Sequence, residues 1–224
     1  MAPRPPAILG IGKNYADHAA ELGGSLGAEL PQHPVVFFKN PASVIATGEA
    51  IELPPVVRTD ALGVDYEGEL AVILGTDARD VPEAQARDVI AALACANDVS
   101  QRWWQWHAGG GQWSRGKSFD SFCPLGEPMP LKELDDLQNL QLTTRLNGQV
   151  VQQASTGQML FSVARLIAEL SRGTTLLAGT VILTGTPAGV GAGRTPARFL
   201  RAGDVVEVEI SGVGLLRNPV VQLG

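Results

Sequence analysis

Glycine and proline punctuate this chain from end to end, 26 and 15 of them among 224 residues, and no apolar run between them is longer than residues 89–96. Glycine permits positive φ and proline removes a backbone donor, so each interrupts a regular element. A sequence divided this way folds into short strands joined by tight turns, giving a β-heavy architecture. No stretch approaches the ~20 apolar residues that span a bilayer, so a membrane is not expected as a partner. A hydrophobic content of 45% over this length supplies one large core. Glycine and proline are spread evenly, with no internal repeat, low-complexity tract or linker, so a single domain over 1–224 is expected. Lys+Arg 17 against Asp+Glu 23 gives a net charge of -6, the wrong sign for gripping phosphate backbones, which argues against nucleic acid. The N-terminus lacks the basic segment and apolar core of a secretory signal. Cys95 and Cys123 have no metal-ligand spacing and read as reduced, buried thiols of a cytoplasmic chain.

The spacing predicts a short helix over 14–22, opened by Asn14 or Asp17 as a cap and carrying His18 and Glu21 on one face. Strands are expected at 35–38, 51–53, 66–74, 181–183, 205–210 and 215–221. A second helix is expected over 82–94, with proline in its first turn. A third covers 157–171, where Met159, Leu160, Val163, Leu166, Ile167 and Leu170 form one apolar stripe ended by Gly173. Strands outnumber helices and do not alternate with them, so a doubly wound fold is not expected.

Several short patterns carry possible chemistry. In Asp65-Tyr-Glu67-Gly-Glu69 the period of two along a strand aims Glu67 and Glu69 from one face. At ~7 Å and an effective dielectric near 20 they repel by about 2 kcal/mol, a conflict a divalent ion removes. A solvated strand face is the alternative. Asp98, just past the expected second helix, is badly placed against the helix dipole. It reads either as a turn former or as a third oxygen ligand of a hard site for Mg²⁺ or Mn²⁺. His18 and Glu21 suit a carboxylate-oriented imidazole that takes a proton from water, or else an exposed helical pair. His33 and His107 have no evident partner.

Residues 111–118, Gly-Gln-Trp-Ser-Arg-Gly-Lys-Ser, match the phosphate-loop pattern letter for letter. That loop must join a strand to a helix, and Pro124 and Gly126 leave no room for the helix, so the context argues against nucleotide binding, which stays a second class of function. Lys117 remains either a cation facing an anionic intermediate or a surface lysine. Residues 183–191, Leu-Thr-Gly-Thr-Pro-Ala-Gly-Val-Gly, follow an expected strand. Their N–H and hydroxyl groups either converge on a small anion such as a carboxylate or form a structural turn. Gly10-Ile-Gly12 lacks the third glycine of a dinucleotide fingerprint, so no nicotinamide cofactor is expected.

Six of these segments, taken in order, resemble the fumarylacetoacetate hydrolase family: Gly12-Lys-Asn-Tyr-Ala-Asp-His-Ala-Ala-Glu21, Phe37-Phe-Lys39, Asp65-Tyr-Glu-Gly-Glu-Leu70, Asn97-Asp-Val-Ser-Gln-Arg102, Arg115-Gly-Lys-Ser-Phe-Asp120 and Thr184-Gly-Thr-Pro-Ala-Gly-Val-Gly191. The length resembles the small acylpyruvate hydrolase and oxaloacetate decarboxylase branch. The resemblance implies an α+β, β-rich fold, a mixed β-sandwich roll with flanking helices, and a homodimer. It implies Mg²⁺, or alternatively Mn²⁺ or Ca²⁺, on Glu67, Glu69 and Asp98. Arg102, Gln105 and Lys117 would then contact a small 2-oxo acid or its enolate, and Thr186 with backbone near Gly185 would hold the carboxylate. His18 and Glu21 would arrive on a mobile lid around 14–34. The implied reaction is hydrolysis of a C–C bond in acylpyruvates or related 2,4-dioxo acids through a metal-bound pyruvate enolate. Oxaloacetate decarboxylation, or isomerisation or hydration of 2-hydroxy-dienoates in aromatic catabolism, is the alternative on the same site. Trp103 to Trp106 are expected either to reshape the distal pocket or to pack in the core.

Overall fold

The computed structural model describes residues 4–22, 30–56, 62–134 and 136–224. In chain order the strands are β1 (Ile8–Gly12), β2 (Val35–Lys39), β3 (Val44–Ile45), β4 (Ile51–Leu53), β5 (Val64–Asp65), β6 (Gly68–Leu74), β7 (Ile90–Asn97) and β8 (Ser100–Gln101). They continue as β9 (Cys123–Pro124), β10 (Met129–Pro130), β11 (Gln141–Leu146), β12 (Gln149–Ser155), β13 (Val181–Leu183), β14 (Val205–Ile210) and β15 (Gly214–Gln222). Among the described residues the α-helices are α1 (Ala16–Glu21) and α2 (Val163–Ser171).

Two sheets account for most of these strands. One runs β10-β7-β6-β13-β1-β2 and the other β12-β11-β14-β15-β4. The β1–β13 and β4–β15 pairs are parallel and the other neighbours antiparallel, so both sheets are mixed. The alternation of each strand sends apolar side chains into the space between the sheets. Leu70, Val72 and Leu93 from the first sheet share one core with Leu142, Val208 and Leu216 from the second. Leu166 and Ile167 of α2 close it at the side, each such burial contributing roughly 1.5–3 kcal/mol. The β-rich fold expected from the sequence is the one observed. No helix among the described residues is long and apolar enough to cross a membrane, and Cys95 and Cys123 are free and buried.

Three local expectations are corrected. Residues 82–94 do not form a helix: Glu83–Val89 is a 3₁₀ turn, and the alanine-rich run that follows is β7. Alanine favours helix in isolation, but β7 lies between β6 and β10 with nearly every side chain buried, and two ladders of hydrogen bonds outweigh that preference. Asp98 therefore follows a strand, and the helix-dipole argument for it does not apply. The helix expected over 157–171 begins later, at Val163, because the Ser162 hydroxyl caps it by accepting the Arg165 N–H. Asn14 is not a helix cap: α1 has Tyr15 at its N-cap position and no side-chain cap.

Asn14 does other work. Its side-chain amide donates to the carbonyls of Phe161 (3.0 Å) and Thr184 (2.7 Å) and accepts the Phe161 N–H (2.7 Å). These bonds are buried, and they tie the end of β1 to two distant segments. Asn14→Ala leaves those backbone groups unpaired, each such loss costing about 1–3 kcal/mol. A urea-unfolding midpoint close to wild type would show that the clamp contributes little.

Candidate metal centre and active site

The antiparallel register of β6 and β7 builds the centre. Gly68 pairs with Asn97 and Glu69 with Ala96, so Glu67 and Glu69 at the start of β6 meet Asp98 just beyond the end of β7. The corner is tightened by the Asn97 side-chain oxygen, which accepts the Glu67 N–H at 2.9 Å, and by the Asp98 N–H, which donates to the Glu67 carbonyl at 2.8 Å. Glycine between the two glutamates is required by packing. A Cβ on Gly68 would lie 2.0 Å from the Thr144 hydroxyl of the facing sheet. One carboxylate oxygen from each of Glu67, Glu69 and Asp98 lies within 4.8 Å of the others, and all three residues are buried.

Buried cations surround this cluster. Lys117 bridges Glu67 (2.7 Å) and Asp98 (2.5 Å), Lys39 reaches Asp98 (2.6 Å), and Arg102 pairs with Glu67 (2.6 Å) and Asp65 (2.8 Å). Among the described residues Glu69 has no ion pair; its carboxylate accepts the Gly185 N–H at 2.6 Å. The protonation states follow. Burial pushes the Glu67 carboxyl up, but Lys117 and Arg102 outweigh it and hold the group well below the usual carboxylate range. Burial also pushes Glu69 up, and the adjacent Asp98 and Glu67 charges push it further, well above that range. Burial alone would lower the pKa of Lys117, but Asp98 and Glu67 raise it. Three clustered carboxylates, one of them without a counter-cation, are a donor set suited to a hard divalent ion such as Mg²⁺ or Mn²⁺.

Above the cluster lies a small cleft whose walls include His18, Glu67, Arg102, Gln105, Lys117 and Thr186. Six residues proposed from the sequence thus line one cleft, with Glu69 and Asp98 beneath it. Gln105 lies in a π-helical turn and accepts from the Arg102 guanidinium at 2.9 Å. The Thr186 hydroxyl donates to the Gly68 carbonyl (2.9 Å) and accepts from Gln152 (2.7 Å), so in this state its proton is committed to the protein. His18 is buried, and its Nδ1 has no hydrogen-bond partner among the described residues; Glu21 lies 3.6 Å away, beyond hydrogen-bonding reach. The segment 23–29 of the expected lid lies outside the described residues.

The aromatic walls of the cleft are Phe37 and Trp113, with ring centroids 5.8 Å apart. Glycines make room for them. A Cβ on Gly10 would lie 2.2 Å from the Phe37 ring, and one on Gly12 2.4 Å from Trp113. Of the tryptophans expected to shape the pocket or the core, Trp104 packs edge-on against Phe119, and Trp106 lies under the Arg102 guanidinium. The phosphate-loop look-alike forms turns that carry Trp113 and Lys117 into the cleft. Sequence reasoning assigned no role to Lys39 or Asp65. The signal for Lys39 was a lone charge at the end of an apolar strand, and for Asp65 its place at the head of the acidic motif 65–69.

The family profile for the fumarylacetoacetate (FAA) hydrolase C-terminal domain matches residues 7–221. The chain belongs to the fumarylacetoacetate hydrolase family. A mitochondrial oxaloacetate tautomerase of Xenopus laevis is 41% identical over 218 residues, 97% of this chain and 66% of the relative. An oxaloacetate tautomerase of Bacillus subtilis is 40% identical over 214 residues, 95% of this chain and 69% of the relative. The crystal structure of a 5-carboxymethyl-2-hydroxymuconate delta-isomerase from Mycobacterium smegmatis superposes with a TM-score of 0.83 at 40% identity, covering 99% of this chain and 80% of that one. The chain thus spans about two thirds of the length of these two tautomerases. It is a fumarylacetoacetate hydrolase-family enzyme with a buried acidic triad able to hold a metal.

Because the Glu69 pKa is raised above its unfolded value, its contribution to metal-free stability is full below the unfolded carboxylate pKa and is lost as pH rises through the native value. A divalent ion must displace that proton, so its affinity should climb by up to about tenfold per pH unit in that window. Calorimetric titration with Mg²⁺ in buffers of different ionisation enthalpy should show about one proton released, and none in Glu69→Gln. Equal proton release in both proteins would remove Glu69 as the source.

Proposed function

We propose that the protein is a divalent-metal-dependent tautomerase of a small 2-oxo dicarboxylic acid of the oxaloacetate type, interconverting its keto and enol forms. The buried charge balance carries this reading. Four buried carboxylates, Asp65, Glu67, Glu69 and Asp98, face three buried cations, Lys39, Arg102 and Lys117. With Glu69 kept protonated by burial and by the adjacent Asp98 and Glu67, the remaining three carboxylates balance the three cations and offer an anionic substrate no net attraction. A doubly charged ion on Glu67, Glu69 and Asp98, displacing the Glu69 proton, would make the site net positive, and a 2-oxo diacid would become the complementary ligand. When bound, Mg²⁺ or Mn²⁺ would supply Lewis-acid polarisation of the 2-oxo group.

The chain's own residues supply the rest. Arg102, oriented by Asp65 through its Nε (2.9 Å) and Nη2 (2.8 Å), presents a fixed guanidinium to a substrate oxygen, with Gln105 beside it. The Lys117 ammonium lies where negative charge develops on the enolate oxygen. His18, with an uncommitted Nδ1 at the cleft wall, carries a proton between C3 of the substrate and its oxygen. Leu22, Phe37 and Trp113 exclude water from the reacting carbon. The names of the frog and Bacillus relatives support the choice of oxaloacetate. α1, which lies within the lid expected over 14–34, carries His18 at the cleft wall.

The proximity of His18 to Glu21 favours a second reading: hydrolysis of the C–C bond of an acylpyruvate by water that His18 activates. Enol-to-keto conversion of oxaloacetate, followed by ultraviolet absorbance, and cleavage of acetylpyruvate separate the two. We expect tautomerisation with Mg²⁺, lost on chelation and in Glu69→Ala, which no longer binds metal. His18→Ala should bind metal normally but react roughly 10²- to 10⁴-fold more slowly, the usual worth of a positioned acid–base group. Cleavage of acetylpyruvate without tautomerisation selects the second reading, and inertness toward both removes the two together.

A further inference from the structure

The place where the Glu21 carboxylate rests is not the imidazole. Both its oxygens accept the Gly189 N–H, at 3.1 and 3.0 Å, while His18 Nδ1 stays 3.6 Å off and unbonded. The turn that receives Glu21 is shaped for it. A Cβ on Gly193 would lie 2.2 Å from the Glu21 carboxyl carbon, so a side chain at 193 would occupy the seat. Gly189 has φ +107°, and a Cβ there would lie 2.0 Å from the Val151 carbonyl oxygen, which restricts the position to glycine.

The seat is also fixed from below. Tyr66 donates its hydroxyl to the Gly189 carbonyl at 3.0 Å. Asp65 accepts the N–H groups of Gly191 (2.7 Å) and Ala192 (3.0 Å), and the same carboxylate binds the Arg102 guanidinium through Nε and Nη2. One buried carboxylate therefore anchors both the turn that Glu21 lands on and the cation that faces the cleft.

We propose that Glu21 is a latch: a positioning residue whose carboxylate docks on the turn 189–193 and so holds α1, with His18, against the cleft. Asp65 keeps that turn in register with Arg102. The proposal rests on the tautomerase reading for its kinetic consequence alone, since docking itself is a property of the unliganded chain.

Gly193→Ala tests it without touching a residue of the cleft, and Glu21→Ala removes the same contact from the other side. Glu21→Gln keeps an oxygen for the Gly189 N–H. We expect amide hydrogen exchange over residues 16–22, read by mass spectrometry, to accelerate roughly 10- to 100-fold in Gly193→Ala and in Glu21→Ala, the worth of a hydrogen bond to a charged group. The double variant should be no faster than either single one, and Glu21→Gln, which keeps a neutral acceptor, should fall between wild type and Glu21→Ala. With oxaloacetate, KM should rise about tenfold in the two unlatched variants with kcat nearly unchanged, because a smaller fraction of the protein is closed.

Wild-type exchange rates in both Gly193→Ala and Glu21→Ala would overturn the latch. A loss of kcat in Glu21→Gln as large as that in His18→Ala would overturn it too, placing Glu21 in the proton-transfer machinery instead. If wild-type protein turns over no 2-oxo acid, the tautomerase reading falls, while the exchange measurements still decide the latch.

Discussion

The buried repulsion among Glu67, Glu69 and Asp98 is the constraint around which the other features of this molecule are arranged. Isolated carboxylates in a protein interior cost several kcal/mol each in lost hydration, and neighbouring ones add their mutual repulsion. Lys117, Lys39 and Arg102 answer most of that cost through contacts of 2.5–2.7 Å. They do not answer all of it, since Glu69 is left with a backbone N–H where its neighbours have ammonium or guanidinium groups. A fold selected for stability alone would gain by replacing such a cluster with apolar side chains of similar volume. Its retention inside a well-packed β-sandwich is understandable if the site takes up a cation, as the proposed function requires.

The glycines express the same logic in steric form. At 10, 12 and 68 the absence of a side chain lets another group approach: the Phe37 ring, the Trp113 ring and the Thr144 hydroxyl. The first two set aromatic walls against β1, and the third lets the second sheet press on the strand that carries both glutamates. Gln152, on the second sheet, accepts the Gly68 N–H and donates to Thr186 and to the Pro187 carbonyl. The cluster is thus held from the far sheet through hydrogen bonds as well as from its own ladder, which leaves its carboxylates little freedom to separate.

How much of this was legible in the sequence depended on the range of the interaction. Glu67 and Glu69 were readable because the period of two is local to one strand. Asp98 was singled out by an argument that fails, since β7 is a strand, yet it belongs to the cluster because of the β6–β7 register, which no short window contains. Local alanine-rich composition could not reveal that β7 would be covered on both sides, so its helix preference misled. Lys39 and Asp65 were passed over for the same reason. Lys39 is a single charge in an apolar strand and Asp65 stands beside two glutamates that drew the attention, and the meaning of each comes from a partner tens of residues away, Asp98 for the lysine and Arg102 for the aspartate. The ordered set of six motifs compensated, because agreement in order across the chain carries long-range information that spacing within any one motif does not.

The phosphate-loop match at 111–118 makes the same point from the opposite side. Its letters satisfy the pattern completely, yet a phosphate cradle requires consecutive N–H groups at the start of a helix, and this segment is a series of turns. The lysine survives the failure of the motif. Lys117 is buried between Glu67 and Asp98, so its charge is fixed by those two carboxylates and not by a nucleotide. A cation held this way shares oxygens with the candidate metal ligands, so metal occupancy and the electrostatic pull of Lys117 on an anion are coupled. A divalent ion held by Glu67, Glu69 and Asp98 would take over part of the negative charge, leaving the Lys117 ammonium less strongly neutralised and better able to attract an anion. On the proposed function, affinity for a 2-oxo diacid would depend on the ion through the protein's own lysine as well as directly.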